Sequence, residues 1–474
     1  MTAALTALAD PGRWPQLAAA VRQWLPSQRW FQGKARDLTH VEVSDAALLP
    51  GPPAVLLAVV TTSYSDGAPE RYQVPLVDGD GPGLLDDVDG VRLRDALADD
   101  GAAHALARAT LSERTAASVT GATIRGEPVG EGTVALPEHA RPLGVEQSNS
   151  SVVFGDDLLL KVFRKLERGL NPDVELTRAL TAHGFDHVPP QVGALLLDDT
   201  AGVSALAVLS VFRAASWEGW DLACAEAATA RSGGVPARLA GGAEDLGAVV
   251  GRMHLILRDA FGQRRATRDD LVRWSRTMHE QARDVLATAR RRAHTELAEV
   301  LSHEQALLAA FDGLDNASDG GALVRTHGDL HLGQVLYDER HGWQLLDFEG
   351  EPARPLAERR EPHSPLRDVA GMLRSFDYAA AHGAPRADAH AAPEVATWRD
   401  DLRAAFLRGY HDTCGGAGLL PTHERDAERL RVAFELDKAV YELGYELANR
   451  PTWVGIPAAG IRRLLSTTST ISDH

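Results

Sequence analysis

The stretch RTHGDLHLGQVLYDERHGWQLLDFEGEPARP, residues 325–355, decides how the rest of the chain is read. It opens with a compact loop, His327-Gly328-Asp329-Leu330-His331, with Gln334 shortly after it. Two short apolar runs, residues 334–337 and 343–348, flank a polar turn at 338–342. Such runs on either side of a turn predict a β-hairpin. The hairpin brings Gln334 and Asp347 side by side, and Asp329 then faces the same target. Phosphoryl transfer requires that set. One carboxylate orients or deprotonates the attacking hydroxyl, while an amide oxygen and a second carboxylate hold magnesium on nucleotide phosphates. A polar hairpin with capping carboxylates would use the same residue types, but it would not need them in this order.

The second informative segment is residues 146–163. Glu146-Gln147-Ser148-Asn149-Ser150-Ser151 leads into an apolar run, a Gly155-Asp156-Asp157 turn and a second run ending at Phe163. The turn chemistry predicts another hairpin. Alternation along its second strand puts Leu159, Lys161 and Phe163 on one face. A lysine between two large apolar side chains is costly unless its charge is paired. Asn171-Pro172-Asp173 reads as a helix start, with Asn171 as cap and Pro172 at the first helical position, which places Glu175 near the first turn. Lys161 and Glu175 match the strand-lysine and helix-glutamate pair that secures nucleotide phosphates in kinases. There is no Gly-rich loop of the G-x-G-x-x-G type. Ser148, Asn149 and Ser150 would have to cover the phosphates with amides and hydroxyls. The alternative for Lys161 is a solvated lysine on an edge strand.

Bulk properties set the frame. At 474 residues the chain exceeds the size at which a single core stops growing, so two or three subdomains are expected. Its 44% hydrophobic and 24% charged residues are near globular averages. A net charge of −17 argues against nucleic acid or an anionic membrane as a general partner. Two cysteines, Cys224 and Cys414, are too few for a disulfide framework and suit a reducing cytoplasm. The N-terminus has no basic segment before an apolar one, and the run 205–212 is far shorter than a membrane span. A soluble cytoplasmic protein is expected.

Three regions follow from the pattern: residues 1–88, 89–212 and 213–474. The first reads as a small α+β unit, with a helix near 16–25 and strands near 41–49, 54–64 and 71–77. Its Trp30 to Lys34 cluster reads as a packed corner. Residues 89–111 read as a helix and 118–125 as a strand. The apolar strand 205–212 stands where kinases place the hinge that receives adenine. Residues 223–244 read as a surface loop or weak helix, 246–258 as a helix carrying a packed His254, and 268–307 as one long helical stretch. Residues 381–396 read as a low-complexity linker. Asp368, in the first turn of a helix after Ser364, is expected to hold the 327–331 loop through its backbone amides. In the helix 429–449, one apolar stripe backs a face of Asp437, Lys438, Tyr441, Glu442, Tyr445 and Asn449. Rings alternating with charged groups suit a sugar, whose C–H patches take ring faces and whose hydroxyls take hydrogen bonds. A salt-bridged exposed face is the alternative.

The loop and the Asp347-Phe348-Glu349 strand end resemble the aminoglycoside-phosphotransferase-like kinases, with Gln334 where that family carries asparagine. The segments 24–31, 146–175, 347–360 and 434–442 are similar to actinobacterial maltokinases, so the resemblance spans nearly the whole chain. It implies an α+β, bilobal protein-kinase-like fold with an N-terminal cap. It also implies ATP-dependent phosphorylation of maltose at its anomeric hydroxyl, giving maltose 1-phosphate for α-glucan synthesis. By the same resemblance Asp329 is the catalytic base, Gln334 and Asp347 hold Mg2+, and Lys161 and Glu175 secure the ATP phosphates. Asp437, Lys438, Tyr441, Glu442 and Tyr445, with Arg450 nearby, would form the acceptor site. A trehalose synthase is an implied partner. Two alternatives stay open: a kinase of the same fold acting on glucosamine, another monosaccharide or an aminoglycoside, and a nucleotide-binding pseudokinase with a scaffolding role.

Overall fold

The computed structural model describes residues 2–130, 132–144, 148–292, 295–382 and 393–471. Glu146 and Gln147, and most of the expected linker at 381–396, lie outside the described residues. The chain forms two compact units, residues 1–181 with 189–215, and residues 182–188 with 216–474.

The first unit is built on two antiparallel sheets. One runs in the order Leu38–Leu49, Val55–Tyr64, Glu70–Asp78, Val91–Asp95, Leu84–Val88. The other has seven strands, in which Ser150–Phe154, Leu158–Val162 and Gly202–Val211 are neighbours. The strand Val55–Tyr64 explains how the unit is layered. Its residues are apolar almost without alternation because each face has its own core. Leu56, Ala58 and Val60 pack with Leu17, Val21, Trp24 and Trp30 beneath the helix Trp14–Trp24. Val55, Leu57 and Val59 pack with Leu106, Phe154, Leu160 and Leu209. A one-residue slip would exchange the two sets, so both cores fix the register. Arg164, buried, donates to Asp95 and to Ser150 Oγ and lies over the Trp30 ring at 4.7 Å.

Residues 89–111 depart from the expected helix. Val91–Asp95 is a strand, and the helix is Asp100–Thr110, capped by Asp99 accepting from Ala102 N. The alternation of Val91-Arg92-Leu93-Arg94 carries period two, and the Ala-rich run after it carries the helix. The expected strand at 118–125 is Thr123–Pro128.

The second unit is mainly helical. Residues 223–244 are mostly helical: 223–231 belong to Gly219–Arg231 and 238–244 to Arg238–Phe261, joined by a short loop at 232–237, with Ala223, Ala227 and Ala230 buried. Small residues there mark close packing and not mobility. The helix Pro393–Cys414 crosses Arg238–Phe261 so tightly that a Cβ on Gly409 would stand 1.8 Å from Glu244 O, and one on Gly247 2.0 Å from Phe406 O. The stretch 268–307 divides into Arg268–Arg291, Thr295–Ser302 and the start of Glu304–Asp312. The first of these opens on a capping box of Thr267 and Asp270.

The helices Leu366–Ala381, Pro393–Cys414, Glu424–Asn449 and Gly455–Ile471 share a buried ionic lattice. Arg374 pairs with Asp377 at 2.6 Å and Glu442 at 2.7 Å, while Arg403 and Arg431 both reach Glu435 at 2.7 and 2.6 Å. Arg463 from the last helix also reaches Asp377. No helix among the described residues is long and apolar enough to cross a membrane.

Candidate active site

The 327–331 loop is held from behind. Asp368, buried in the first turn of Leu366–Ala381, accepts from His327 N at 2.7 Å and Gly328 N at 2.9 Å. Its carboxylate also meets His254 Nε2 at 3.0 Å, and His254 Nδ1 meets Tyr410 Oη at 3.0 Å. Burial alone would raise the Asp368 carboxyl, but His254, His327 and the Gly328 amide hold it below its ordinary value. His254 is therefore a packed, hydrogen-bonded residue, as expected from its helix. His327 Nε2 donates to Leu346 O at 2.8 Å, which leaves Nδ1 as the acceptor facing Asp329 N at 3.4 Å. Gly371 completes the seat, since a Cβ there would stand 2.4 Å from Leu330 O.

The hairpin forms as its sequence predicts. Val335–Asp338 pairs antiparallel with Gly342–Leu345, and Asp338 Oδ1 accepts from Arg340 N and His341 N across the turn. Gln334 and Asp347 are brought together, with Gln334 Nε2 donating to Asp347 Oδ2 at 3.0 Å. Asp347 has a backbone φ of 59°, in the left-handed region that aspartate tolerates better than most residues. Such a conformation costs energy and persists where the surrounding structure over-determines it.

Lys438, from the helix Glu424–Asn449, joins two carboxylates. Its Nζ lies 3.2 Å from Asp329 Oδ1 and 3.2 Å from Glu351 Oε1. Burial would lower the Lys438 ammonium, but Asp329 and Glu351 more than offset it and keep the group charged. Glu351 also takes Arg354 Nε at 2.7 Å and Arg367 Nη2 at 2.8 Å. Burial pushes its carboxyl up, yet Arg367, Lys438 and Arg354 together hold it at about 2. Asp437 is the opposite case. Burial raises its carboxyl to about 6, with Glu351 adding to the rise against Arg367 and Arg354. A cavity of about 30 Å³ lies among these groups, lined by Asp329, Glu351, Asp437, Lys438 and Tyr441.

The acceptor-site residues divide. Asp437, Lys438 and Tyr441 line the cavity with Asp329. Glu442 does not, because it takes Arg374 Nε at 2.9 Å and Nη2 at 2.7 Å and belongs to the ionic lattice. Tyr445 and Arg450 stand outside the cavity on the exposed side of the helix. Glu351, Arg354 and Arg367 went unassigned in the sequence. The first two lay within the quoted stretch, and their chemistry emerges only once Lys438 arrives from a distant helix.

In the first unit, Lys161 is buried and its Nζ donates to Asp173 Oδ2 at 2.9 Å, with the Phe163 ring 5.6 Å away. Asp173 sits in the first turn of Pro172–Ala182, where Asn171 Oδ1 caps its amide at 2.9 Å. Asp173 is thus a partner of Lys161 that the spacing alone does not single out. Glu175 occupies the same first turn. Ser150 Oγ accepts from Arg164 Nε at 2.8 Å, and Asn149 Nδ2 reaches Ser148 Oγ at 3.4 Å.

Comparison with known proteins agrees with this chemistry. The maltokinase N-terminal cap domain matches residues 24–83, and the phosphotransferase enzyme family matches residues 139–410. A glucosamine kinase of Mycolicibacterium smegmatis is 30% identical over 333 residues, 69% of this chain and 79% of that protein. One of Streptacidiphilus jiangxiensis is 28% identical over 331 residues, 69% and 73% of the two chains. A solved glucosamine kinase in complex with glucosamine, ADP and inorganic phosphate superposes with a TM-score of 0.70 at 25% identity, covering 94% of this chain and 99% of that one. The chain thus belongs to the phosphotransferase enzyme family, with its kinase-like α+β fold preceded by a maltokinase-type cap.

Proposed function

We propose that the protein is an ATP-dependent sugar kinase that transfers the γ-phosphoryl group to the anomeric hydroxyl of maltose, giving maltose 1-phosphate and ADP. The observation that carries this reading is the Asp329–Lys438–Glu351 bridge in a cavity lined by Tyr441, with Tyr445 outside it one turn further along the helix; the two rings are 40% and 46% exposed. Two rings at i and i+4 share one helix face. They offer more aromatic platform than a single sugar ring needs, which favours a disaccharide over a monosaccharide.

In this reading Asp329 accepts the proton of the attacking hydroxyl and aligns it, and Lys438 holds that carboxylate in place. Asp437 and Tyr441 take sugar hydroxyls. Lys161, held by Asp173, neutralises phosphate charge, with Glu175 in the same turn and the amides of Ser148, Asn149 and Ser150 beside the nucleotide. Gln334 and Asp347 supply oxygen donors of the kind that suit Mg2+, and turning the Gln334 amide over exchanges its N–H for its oxygen. When bound, the ion screens charge on the phosphates. A reaction that releases maltose must supply the acceptor, and trehalose synthase is an enzyme of that class.

A second reading is a glucosamine kinase, the name borne by the relatives. Three carboxylates, Asp329, Glu351 and Asp437, line the cavity and would receive a sugar ammonium. ADP release measured with ATP and Mg2+ across maltose, glucosamine, glucose, trehalose and kanamycin separates the two. Turnover with maltose, and phosphorus NMR of an anomeric phosphate, support the first. Turnover with glucosamine alone overturns it in favour of the second. ATP binding without turnover on any sugar overturns both.

A further inference from the structure

We infer that an aromatic track on the helical unit, running outward from the acceptor cavity through Tyr445, Arg450, Trp453, His382 and Trp220, is a binding site for an α-linked glucan chain longer than a disaccharide. The inference rests on the sugar-acceptor reading for its starting point, Tyr441, but its geometry is independent of the phosphoryl chemistry.

From Tyr445 outward the contacts are continuous, and helix spacing links Tyr445 to Tyr441. Lys438 Nζ, which touches Asp329, lies 5.2 Å from the Tyr441 ring, and Tyr445 follows one turn along the same helix face. The guanidinium of Arg450 sits between two rings, 5.3 Å from Tyr445 and 4.7 Å from Trp453. Glu446 anchors that guanidinium at 2.7 and 2.9 Å, so its plane is fixed while nearly half of the side chain stays exposed. Trp453 and His382 are 6.0 Å apart, and His382 and Trp220 are 5.6 Å apart.

Each step is comparable to the width of one sugar ring, and the rings come from separate helices and the segment between two of them. A core cluster would hide such rings. Here Tyr445, Arg450 and His382 are exposed, and Trp453 and Trp220 only half-buried. Rigid ring faces interrupted by a flat, hydrogen-bonding guanidinium suit a polymer of sugars, whose C–H faces stack while its edge hydroxyls need donors. A purely apolar peptide would leave the exposed Arg450 guanidinium, held from behind by the buried Glu446, without use.

Calorimetric titration of the full chain, without nucleotide, with maltose, maltotetraose and maltohexaose tests this. The expected result is a Kd that falls at least about tenfold from maltose to maltohexaose. Trp453→Ala and Trp220→Ala should each remove most of that gain, and Trp453→Phe should restore it. If Trp453→Ala fails to fold, Trp220→Ala, on a different helix, carries the comparison. Equal Kd values at all three lengths would overturn the track, as would a length gain unchanged in the tryptophan variants. The two readings fail separately. Length-dependent binding without maltose phosphorylation removes the acceptor assignment and leaves the track. Maltose 1-phosphate formation with no length dependence does the reverse.

Discussion

Lys438 Nζ stands 3.2 Å from Asp329 Oδ1, so the carboxylate assigned as base is tethered by a charge delivered from a helix more than a hundred residues later in the chain. Asp329→Asn should lower turnover by about 10²–10⁴, the range for loss of a general base, and leave ATP binding intact. Lys438→Met removes a charged hydrogen bond worth about 1.5–3 kcal/mol, so kcat should fall about 10- to 100-fold. Lys438→Arg should recover only part of it, because a planar fork does not replace a point charge. Steady-state ADP release measures all three. Full activity in Lys438→Met would refute the tether.

Asp437 should give the enzyme a pH-dependent acceptor affinity. Its carboxyl, raised to about 6, is neutral below that pH and charged above it. A carboxylate accepts hydroxyl hydrogen bonds more strongly than its protonated form. The sugar KM should therefore rise as pH falls through about 6, and Asp437→Asn should flatten the profile. Stability moves the other way. The folded value lies above the ordinary 3.8, so folding favours the protonated form, and that advantage is lost as pH rises through about 6. Asp437→Asn should raise Tm at pH 8 and raise it less at pH 4, as followed by thermal denaturation.

Asp368 is a positioning residue with a large structural share. Asp368→Ala strands the His327 and Gly328 amides and His254 in a buried site, at a cost of about 3–5 kcal/mol. Asp368→Asn keeps the shape and one acceptor, and it should fold. In that variant kcat should drop several-fold while the KM for ATP holds. Denaturant titration and initial rates together check the prediction, and an unchanged kcat in a destabilised Asp368→Asn would confine the residue to folding.

Tyr441→Ala should raise the KM for the sugar and leave that for ATP in place. Its ring is 40% exposed, so the loss falls on the ligand and little on the fold. Parallel weakening of both substrates would remove Tyr441 from the acceptor site.

Much of this was legible in the chain itself. The 325–355 stretch carried its own hairpin, and the approach of Gln334 and Asp347 follows from local turn chemistry at Asp338. The Asp368 anchor was visible as a first-turn acid, although Pro365 and not Ser364 stands at the cap, with no side-chain bond. What was hidden depended on rotation about helices and on distant arrivals. Asp173 and Glu175 share one turn, and only the actual helix orientation gives Lys161 its 2.9 Å contact with Asp173. Glu442 sits one turn after Lys438, yet Arg374 from another helix claims it. The alanine-rich 223–244 region gave no periodic stripe, because close helix packing needs small residues and not large ones.

The buried lattice of Arg374, Asp377, Glu435, Arg403, Arg431 and Arg463 has a consequence for how such a sequence can diverge. Removing one member leaves an uncompensated charge, while exchanging the whole set for apolar residues of similar volume is close to neutral. Every single-step route between those two endpoints passes through a weakened intermediate. These positions should therefore change together, and a homologue that lacks the arginine at 374 should also lack the acid at 442, while Asp377 can persist on Arg403 and Arg463.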